Sequence, residues 1–307
     1  MRHDLIRHHL IAIALVVAAG ACTSSHPAAT TVKPITARAV PAAVDVQLDL
    51  VDTSRAAVDP IGERNAPTRA LPTMLRIPAS AKPVPLIVFA HGYDGDPTKF
   101  TELFQHWVDA GFAVLAPRFP VTYTGAARGP LSRSGDVTEQ PADLTFALDA
   151  LLHSRWKGRI DRDRIGAAGL SLGGATIWSY VANTCCRDPR IKAAIIMDGI
   201  RLDHPKGKAI ENPMPLLVYH ADRDYALPFA SARTAYDSAK PPKYFVTIFG
   251  ALHAEPYENT PAAADAMVET TSTRFWRAYL LGDDAARHEI VTAATIPGIS
   301  TAESESG

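Results

Sequence analysis

Cysteine is scarce in this chain of 307 residues, which contains three: Cys22, Cys185 and Cys186. A metal or redox centre built on cysteine needs partners at a characteristic spacing, and the sequence has no such spacing. Cys185 and Cys186 are neighbours, so we expect two small, partly buried thiols. A disulfide between them, which requires an unusual peptide geometry, is the alternative. We therefore expect the protein to need no metal and no cofactor.

Clusters of Lys and Arg are also absent, and the formal net charge is −1. Binding to nucleic acid or to an acidic membrane surface requires such clusters, so neither partner is expected. A composition of 47% hydrophobic and 21% charged residues is ordinary for a globular protein with one large core. There are no internal repeats, which excludes a repeat architecture.

An apolar stretch near the start, Leu10 to Ala21, is too short to span a bilayer comfortably. It follows the positive residues Arg2 and Arg7, a pattern typical of an export signal over residues 1–22. The small residues before Cys22 resemble the lipobox of bacterial lipoproteins, which implies a lipid on that cysteine and an anchor on the outer face of the cell membrane. Simple secretion and an uncleaved anchor are the alternatives.

Residues 23–43 are rich in Ser, Thr, Ala and Pro, so we expect a flexible tether. From residue 44 to residue 295 the pattern predicts one α/β domain, and the small, acidic tail over residues 296–307 is expected to be disordered. Residues 44–50 and 71–77 read as an antiparallel edge. Apolar runs that alternate with helical segments then predict a mostly parallel sheet with helices on both faces. The predicted strands cover residues 86–90, 112–116, 165–168, 191–197, 216–219 and 244–248, and the helices 99–110, 141–153, 175–182 and 261–281.

The most informative motif is Gly169-Leu170-Ser171-Leu172-Gly173, which lies between a predicted strand and a predicted helix. This is the GxSxG pattern of a nucleophile elbow, a sharp turn that exposes a serine hydroxyl above the sheet. Glycine is needed two residues before and after the serine, because a side chain there would collide with the neighbouring strand or helix. Ser171 is therefore the predicted nucleophile.

A serine nucleophile needs a base and an acid that orients the base. His253 follows the last predicted strand and is the predicted base. Asp224 follows the strand at residues 216–219 and is the predicted acid. Asp222 in the same loop is one alternative and otherwise reads as a turn residue paired with Arg223. Asp198, at the end of the preceding strand, is the other.

The predicted oxyanion donors are the backbone N–H groups of Leu172, at the start of a helix, and of Tyr93, in the loop after residues 86–90. His91 in that loop is expected to pack or hydrogen-bond locally rather than to react. Residues 119–139 are expected to form a pocket wall. Tyr93 and Trp178 are candidate aromatic contacts for the substrate, although core packing also explains Trp178.

The loop after residues 86–90, the GxSxG motif and the segments that contain Asp224 and His253 follow the α/β-hydrolase family in order and spacing. The segments at residues 52–55, 71–73 and 140–143 resemble the dienelactone-hydrolase-like branch, which contains chlorophyllases, platelet-activating-factor acetylhydrolases and polyester-degrading cutinases. The resemblance implies a serine esterase that forms an acyl-enzyme on Ser171. It also keeps Asp198 open as the acid, because some of these relatives place the acid there.

We accordingly expect a monomeric enzyme that acts on a small-molecule or lipid ester. Two other functions use the same fold. An acyltransferase would pass the acyl group from Ser171 to an alcohol instead of water. A catalytically inactive hydrolase-fold protein would bind lipid without reacting.

Overall fold

A nine-stranded sheet forms the centre of the molecule. The strands are β1 (Val44–Asp52), β2 (Arg69–Ile77), β3 (Val84–Ala90), β4 (Ala113–Pro117), β5 (Ile160–Leu170), β6 (Ile191–Met197), β7 (Leu216–Ala221), β8 (Lys243–Ile248) and β9 (Ser300–Glu305). Their order across the sheet is β1-β2-β4-β3-β5-β6-β7-β8-β9. The computed structural model describes residues 41–60, 65–126 and 131–306, so the predicted export signal, Cys22 and most of the tether lie outside the described residues. Strands β3 to β8 are parallel, whereas β1 and β2 at one edge and β9 at the other are antiparallel.

Helices cover both faces of this sheet, which confirms the predicted α/β-hydrolase class of fold. The helices are α1 (Thr101–Asp109), α2 (Gln140–His153), α3 (Leu172–Ala182), α4 (Phe229–Asp237), α5 (Asp265–Leu281) and α6 (Asp284–Ala294). One core cluster contains side chains of α2, α3 and α4, and the other contains those of α1, α5 and α6. Side chains of β3 alternate between the two clusters, which explains why this strand is apolar at every position. Among the described residues no helix is long and apolar enough to cross a membrane.

The carboxyl-terminal segment differs most from the expectation. Residues 296–307 were predicted to be disordered, but β9 pairs with β8 from Ser300 to Glu305. The side chains of β9 do not alternate between apolar and polar, so the sequence lacks the usual pattern of a strand. The strand is held mainly by backbone hydrogen bonds to β8. Lys243 adds an ion pair with Glu305. The helix at 265–281 is followed by α6, and α4 precedes β8, so the prediction also omitted two helices.

The pair Cys185–Cys186 also corrects an expectation. The two sulfur atoms form a disulfide, so the prediction of two separate thiols is wrong and the alternative holds. The pair follows the end of α3, where Asn183 forms an antiparallel bridge with Ala209. The backbone N–H of Thr184 donates to the carbonyl of Lys208. The disulfide therefore lies on a segment that is held against residues 204–209.

A buried ion-pair network joins the antiparallel edge to α2. The Arg69 guanidinium, on β2, is fully buried and donates to both carboxylate oxygens of Asp136 and of Asp143. Arg55 donates to Asp143 as well, and its Nε lies 2.7 Å from an oxygen of Asp52. Residues 52–55 and 140–143, which carry part of the family resemblance, are thus structural here.

Replacing Arg69 with Met is expected to lower the free energy of unfolding by about 3 to 5 kcal/mol, because two buried carboxylates lose their main partner. Chemical denaturation at neutral pH measures this loss. Arg164→Met is the matched control, since Arg164 is half exposed and pairs with Asp161 on the surface, and it should cost less than about 1 kcal/mol. Equal losses in the two variants would contradict the structural role of Arg69.

Candidate active site

Ser171 lies on a sharp turn between β5 and α3. Its backbone has φ 57° and ψ −118°, which is strained for a residue with a side chain. A Cβ on Gly169 would lie 2.4 Å from the carbonyl oxygen of Gly173, and one on Gly173 would lie 2.1 Å from that of Ala90. Only glycine fits at both positions, so the turn has the structure that the GxSxG pattern predicts.

Three predicted side chains meet above the carboxyl ends of the parallel strands. Ser171 Oγ is 2.7 Å from His253 Nε2, and His253 Nδ1 is 2.7 Å from Asp224 Oδ2. The Asp224 side chain is fully buried, whereas that of His253 is 12% exposed. The serine and histidine are therefore accessible, and the carboxylate that orients the histidine is protected from water.

The surroundings of Asp224 fix the proton positions in this chain of hydrogen bonds. Its Oδ1 accepts from the backbone N–H groups of Ala226 and Leu227, at 2.7 and 2.8 Å. Its Oδ2 is left to accept from His253 Nδ1–H. A neutral imidazole carries one proton, so Nε2 is then the acceptor for the Ser171 hydroxyl. This tautomer is the one that a general base requires.

Asp198, the alternative acid, is fully buried. Its carboxylate accepts from the N–H of Ala221 at 2.7 Å, the hydroxyl of Tyr257 at 3.2 Å and the N–H of Ala254 at 3.3 Å. Burial raises the pKa of Asp198, and the nearby His220 and the Ala221 N–H oppose that rise. Asp198 thus connects the loop that carries the acid to the loop that carries the histidine, and the imidazole of His253 hydrogen-bonds to Asp224 instead.

Two further side chains support the same loops. The Asp222 carboxylate accepts from the N–H of Gly250 at 2.7 Å, so Asp222 is a turn residue. The predicted pairing with Arg223 is not found among the described residues. His220 was not predicted; it is fully buried, and its Nε2 lies 3.1 Å from the Leu227 carbonyl and 3.5 Å from Asp224 Oδ2. In the sequence His220 stands at the end of an apolar strand, and this position does not indicate that it contacts the loop of Asp224.

The loop after β3 lies directly beside Ser171, because Ala90 pairs with Gly169 across β3 and β5. A Cβ on Gly92 would be 3.1 Å from Ser171 Cβ and 3.7 Å from Ser171 Oγ. The loop is held by the Asp94 N–H, which donates to the Thr122 carbonyl at 2.9 Å. Tyr93 therefore lies on one side of Ser171. Leu172, the first residue of α3, follows Ser171 directly.

His91 is fully buried beneath that loop, as predicted. Its Nδ1 lies 2.8 Å from the Gly92 carbonyl, and its Nε2 accepts from the N–H of Phe119 at 3.0 Å. Both ring nitrogens are therefore used, one by the loop after β3 and one by the segment that follows β4. Burial lowers the pKa of His91 to about 4, so the ring stays neutral at neutral pH.

This pKa predicts an acid-dependent loss of stability. An unfolded histidine has a pKa of about 6.5, so the unfolded state takes up a proton below that pH while the folded state does so only near pH 4. Stability from this group is complete above about pH 6.5 and falls by up to about 1.4 kcal/mol per pH unit as the pH decreases toward 4. The free energy of unfolding at several pH values measures the slope. His91→Gln, which cannot titrate, should have a shallower slope; an unchanged slope would contradict the assignment.

The predicted substrate contacts differ in their exposure. Tyr93 is partly exposed beside Ser171. The Trp178 side chain is 2% exposed and packs in the core, so its prediction as a substrate contact is wrong. Two exposed apolar side chains near the site were not predicted: Tyr225 is 78% exposed and Leu252 46% exposed. Tyr225 follows Asp224 and Leu252 precedes His253 in the sequence. This adjacency was the only sequence signal that they lie near the site.

The predicted wall at residues 119–139 lies only partly within the described residues, since residues 127–130 are outside them. Tyr123 forms a bridge with Gly95, and the Thr124 N–H donates to the Gly95 carbonyl at 2.9 Å. The start of this stretch therefore runs beside the loop that contains Tyr93.

In the part of the chain that the structure describes, two groups of side chains bring potential metal ligands within 4.8 Å of one another. In the group of Asp198, Asp224 and His253, the histidine Nδ1 already donates to Asp224. In the group of Cys185, Cys186 and His204, both sulfur atoms are in the disulfide. Metal binding at either group would therefore require breaking a bond that the structure contains.

Comparison with models of known protein families gives a match to the family described as Chlorophyllase over residues 47–218, more than half of the chain. The matched range includes the loop after β3 and the turn at Ser171, and it ends before Asp224 and His253. Comparison with curated proteins gives no match. With the fold described above, the family match shows that the chain belongs to the chlorophyllase family, which indicates a hydrolase that acts on ester bonds.

Proposed function

We propose that the protein is a serine carboxylic-ester hydrolase that forms an acyl-enzyme on Ser171. The observation that carries this proposal is the chain of two 2.7 Å contacts from Ser171 Oγ through His253 to the buried Asp224 carboxylate. Such a chain lets the imidazole remove the serine proton as the hydroxyl attacks a carbonyl carbon.

In the first step Ser171 Oγ bonds to the ester carbonyl carbon, and its proton moves to His253 Nε2. The imidazolium is stabilised by Asp224 and returns the proton to the leaving alkoxide, which departs as an alcohol. Water then attacks the acyl-enzyme with His253 again as the base. The acid product leaves, and the Ser171 hydroxyl is restored.

We assign the oxyanion site to the backbone N–H groups of Leu172 and Tyr93. Leu172 begins α3, where backbone N–H groups lack helical partners and the helix dipole favours negative charge. Tyr93 follows Gly92, whose missing side chain allows the loop to approach Ser171 closely. Loss of one such donor typically costs about 3 to 4 kcal/mol in the transition state.

The surface next to the triad favours an ester with an apolar part. Tyr225, which follows Asp224, and Leu252, which precedes His253, are both exposed. The Tyr225 ring lies edge-on to the His253 ring, at 6.3 Å between centroids. Exposed aromatic and aliphatic side chains gain free energy when an apolar ligand covers them.

The proposal is tested by a series of p-nitrophenyl esters of increasing acyl length, together with labelling by a fluorophosphonate probe. We expect hydrolysis of the esters and a covalent label on Ser171. Absence of both from folded protein would reject the enzyme and favour the lipid-binding alternative. Faster acyl transfer to added glycerol than to water would instead identify an acyltransferase.

We also propose that the domain acts outside the cytoplasm, exported by residues 1–22 and anchored by a lipid on Cys22. The support is the sequence pattern alone: Arg2 and Arg7, the apolar stretch and the small residues before Cys22. Replacing Cys22 with Ser should release the protein from the membrane fraction if the cysteine carries the lipid. Unchanged membrane association would contradict this assignment.

A further inference from the structure

The Cys185–Cys186 disulfide lies beyond the carboxyl-terminal end of α3, whereas Ser171 precedes its first residue. Both cysteines are partly exposed and line a cavity of about 400 Å³. A small molecule that enters the cavity can therefore approach the disulfide. The catalytic mechanism proposed above does not use them.

The two sulfur atoms have different surroundings. Cys186 Sγ is 3.5 Å from His204 Nε2. The Nδ1 atom of His204 accepts from the backbone N–H of Lys206 at 3.2 Å, so the proton of the neutral ring is on Nε2. That N–H also faces the Thr138 carbonyl at 3.1 Å. Cys186 thus has a hydrogen-bond donor that would stabilise a thiolate.

The packing around the pair supports a preformed site. A Cβ on Gly207 would lie 2.7 Å from Cys185 Cβ and 2.6 Å from the Cys185 backbone nitrogen. The N–H of Cys185 donates to the Asn183 side chain at 3.2 Å. Residues 204–208 therefore pack directly against the disulfide, and His204 is held in place relative to Cys186.

The lining of the cavity carries two cations, Arg187 and Lys206, and one carboxylate, Glu139. Lys206 pairs with Glu139 at 2.6 Å, while Arg187 is exposed and forms no ion pair with the other described residues. Both cations line the cavity. A small molecule that carries a carboxylate or a sulfonate would be attracted to Arg187 in particular.

We propose that this cavity is a thiol–disulfide exchange site for a small anionic thiol, with Cys185 as the sulfur attacked and Cys186 as the leaving group. The thiolate of the small molecule bonds to Cys185 Sγ, and the Cys185–Cys186 bond breaks. Its electron pair goes to Cys186 Sγ, which leaves as a thiolate hydrogen-bonded to His204 Nε2–H.

A second small thiolate completes the reduction. It attacks the small-molecule sulfur of the mixed disulfide, which releases Cys185 as a thiolate and the small molecule as its own disulfide. Two small thiols are oxidised by two electrons in total, and the protein disulfide is reduced by two. The cysteine thiolates then take protons from water according to the pH.

The test uses the full chain in its oxidised, folded form. The protein is treated briefly with 2-mercaptoethanesulfonate, quenched with N-ethylmaleimide and mapped by peptide mass spectrometry, which separates Cys22 from the pair. We expect the mercaptoethanesulfonate adduct on Cys185 and the maleimide on Cys186. The reverse distribution, or reaction only after denaturation, would overturn the proposal.

A second measurement uses single-cysteine variants, because the first adduct can be lost by reattack of Cys186. Cys185→Ser leaves Cys186 beside His204, and Cys186→Ser leaves Cys185 alone. At neutral pH we expect Cys186 to be alkylated about threefold to tenfold faster than Cys185, and His204→Leu to remove that difference. His288→Leu, on the exposed face of α6, is the matched control. Equal rates for the two cysteines would overturn the assignment of the leaving group.

The charge preference is tested separately. Cysteamine is a cationic thiol, and its exchange rate is compared with that of 2-mercaptoethanesulfonate at equal thiolate concentration. We expect the anionic thiol to react several-fold faster with the wild-type protein, and Arg187→Gln to reduce the ratio. An unchanged ratio would overturn the anionic specificity. Thermal unfolding of each variant verifies that it is folded.

Discussion

Replacing Ser171 with Ala is expected to lower kcat/KM for a p-nitrophenyl ester by about 10⁴- to 10⁶-fold. The variant keeps the backbone turn, Asp224 and His253, but it has no oxygen with which to form the acyl-enzyme. Any remaining rate would come from binding and from the oxyanion donors acting on attack by water. Initial rates with the ester that the wild-type enzyme hydrolyses fastest measure the effect.

The control for this variant is Ser179→Ala on the same helix, α3. Ser179 is buried two turns beyond Leu172, so the same chemical change there should alter kcat/KM only a few-fold. Fluorophosphonate should label Ser179→Ala and leave Ser171→Ala unlabelled. Retention of most activity by Ser171→Ala would reject Ser171 as the nucleophile, provided that both variants melt near the wild-type temperature.

The parallel part of the fold is predictable from sequence because its strands are buried on both faces. Residues 84–90 and 191–197 contain almost only apolar side chains, and β6 is found at the predicted residues. Strand β9 has the sequence Ser-Thr-Ala-Glu-Ser-Glu, with one buried side chain. Its stability comes from backbone pairing with β8, which a pattern of side chains cannot indicate.

The candidate site was predictable where chain order and local turns determine it. The GxSxG pattern specifies a turn at Ser171, and a histidine after the last parallel strand can reach that turn. The acid was less certain, because Asp198 and Asp224 both follow parallel strands and both end near the histidine loop. The three-dimensional structure distinguishes the two carboxylates, because His253 Nδ1 is hydrogen-bonded to Asp224.

The sequence left the Cys185–Cys186 disulfide as an alternative and did not indicate the exposure of Tyr225 and Leu252, for different physical reasons. Bonding between Cys185 and Cys186 depends on the conformation of one peptide unit, which their surroundings determine. Exposure of Tyr225 and Leu252 depends on how two loops leave the sheet. Trp178 was a candidate contact with core packing as the other interpretation, and core packing holds, since it lies two turns along α3 with its side chain in the core.

The second large effect is expected for Asp224→Asn, which should lower kcat/KM by about 10⁴-fold. The asparagine oxygen can keep the hydrogen bonds from the Ala226 and Leu227 N–H groups, which turns its NH₂ group toward His253. The NH₂ group donates to Nδ1 of His253, so the imidazole proton is on Nε2. The Nε2 atom then cannot accept the Ser171 proton. Ester hydrolysis across a range of pH measures the loss.

The matched variant Asp198→Asn separates the two candidate acids. Asp198 accepts from Ala221, Ala254 and Tyr257, so the amide loses acceptor capacity and weakens the contact between the acid and histidine loops. We expect a lower melting temperature and a fall in kcat/KM of about tenfold or less, because the His253 tautomer is still controlled by Asp224. A larger loss from Asp198→Asn than from Asp224→Asn, with the protein still folded, would make Asp198 the acid and Asp224 a loop anchor. The hydrogen bond of His253 to Asp224 is the physical reason for expecting the opposite order.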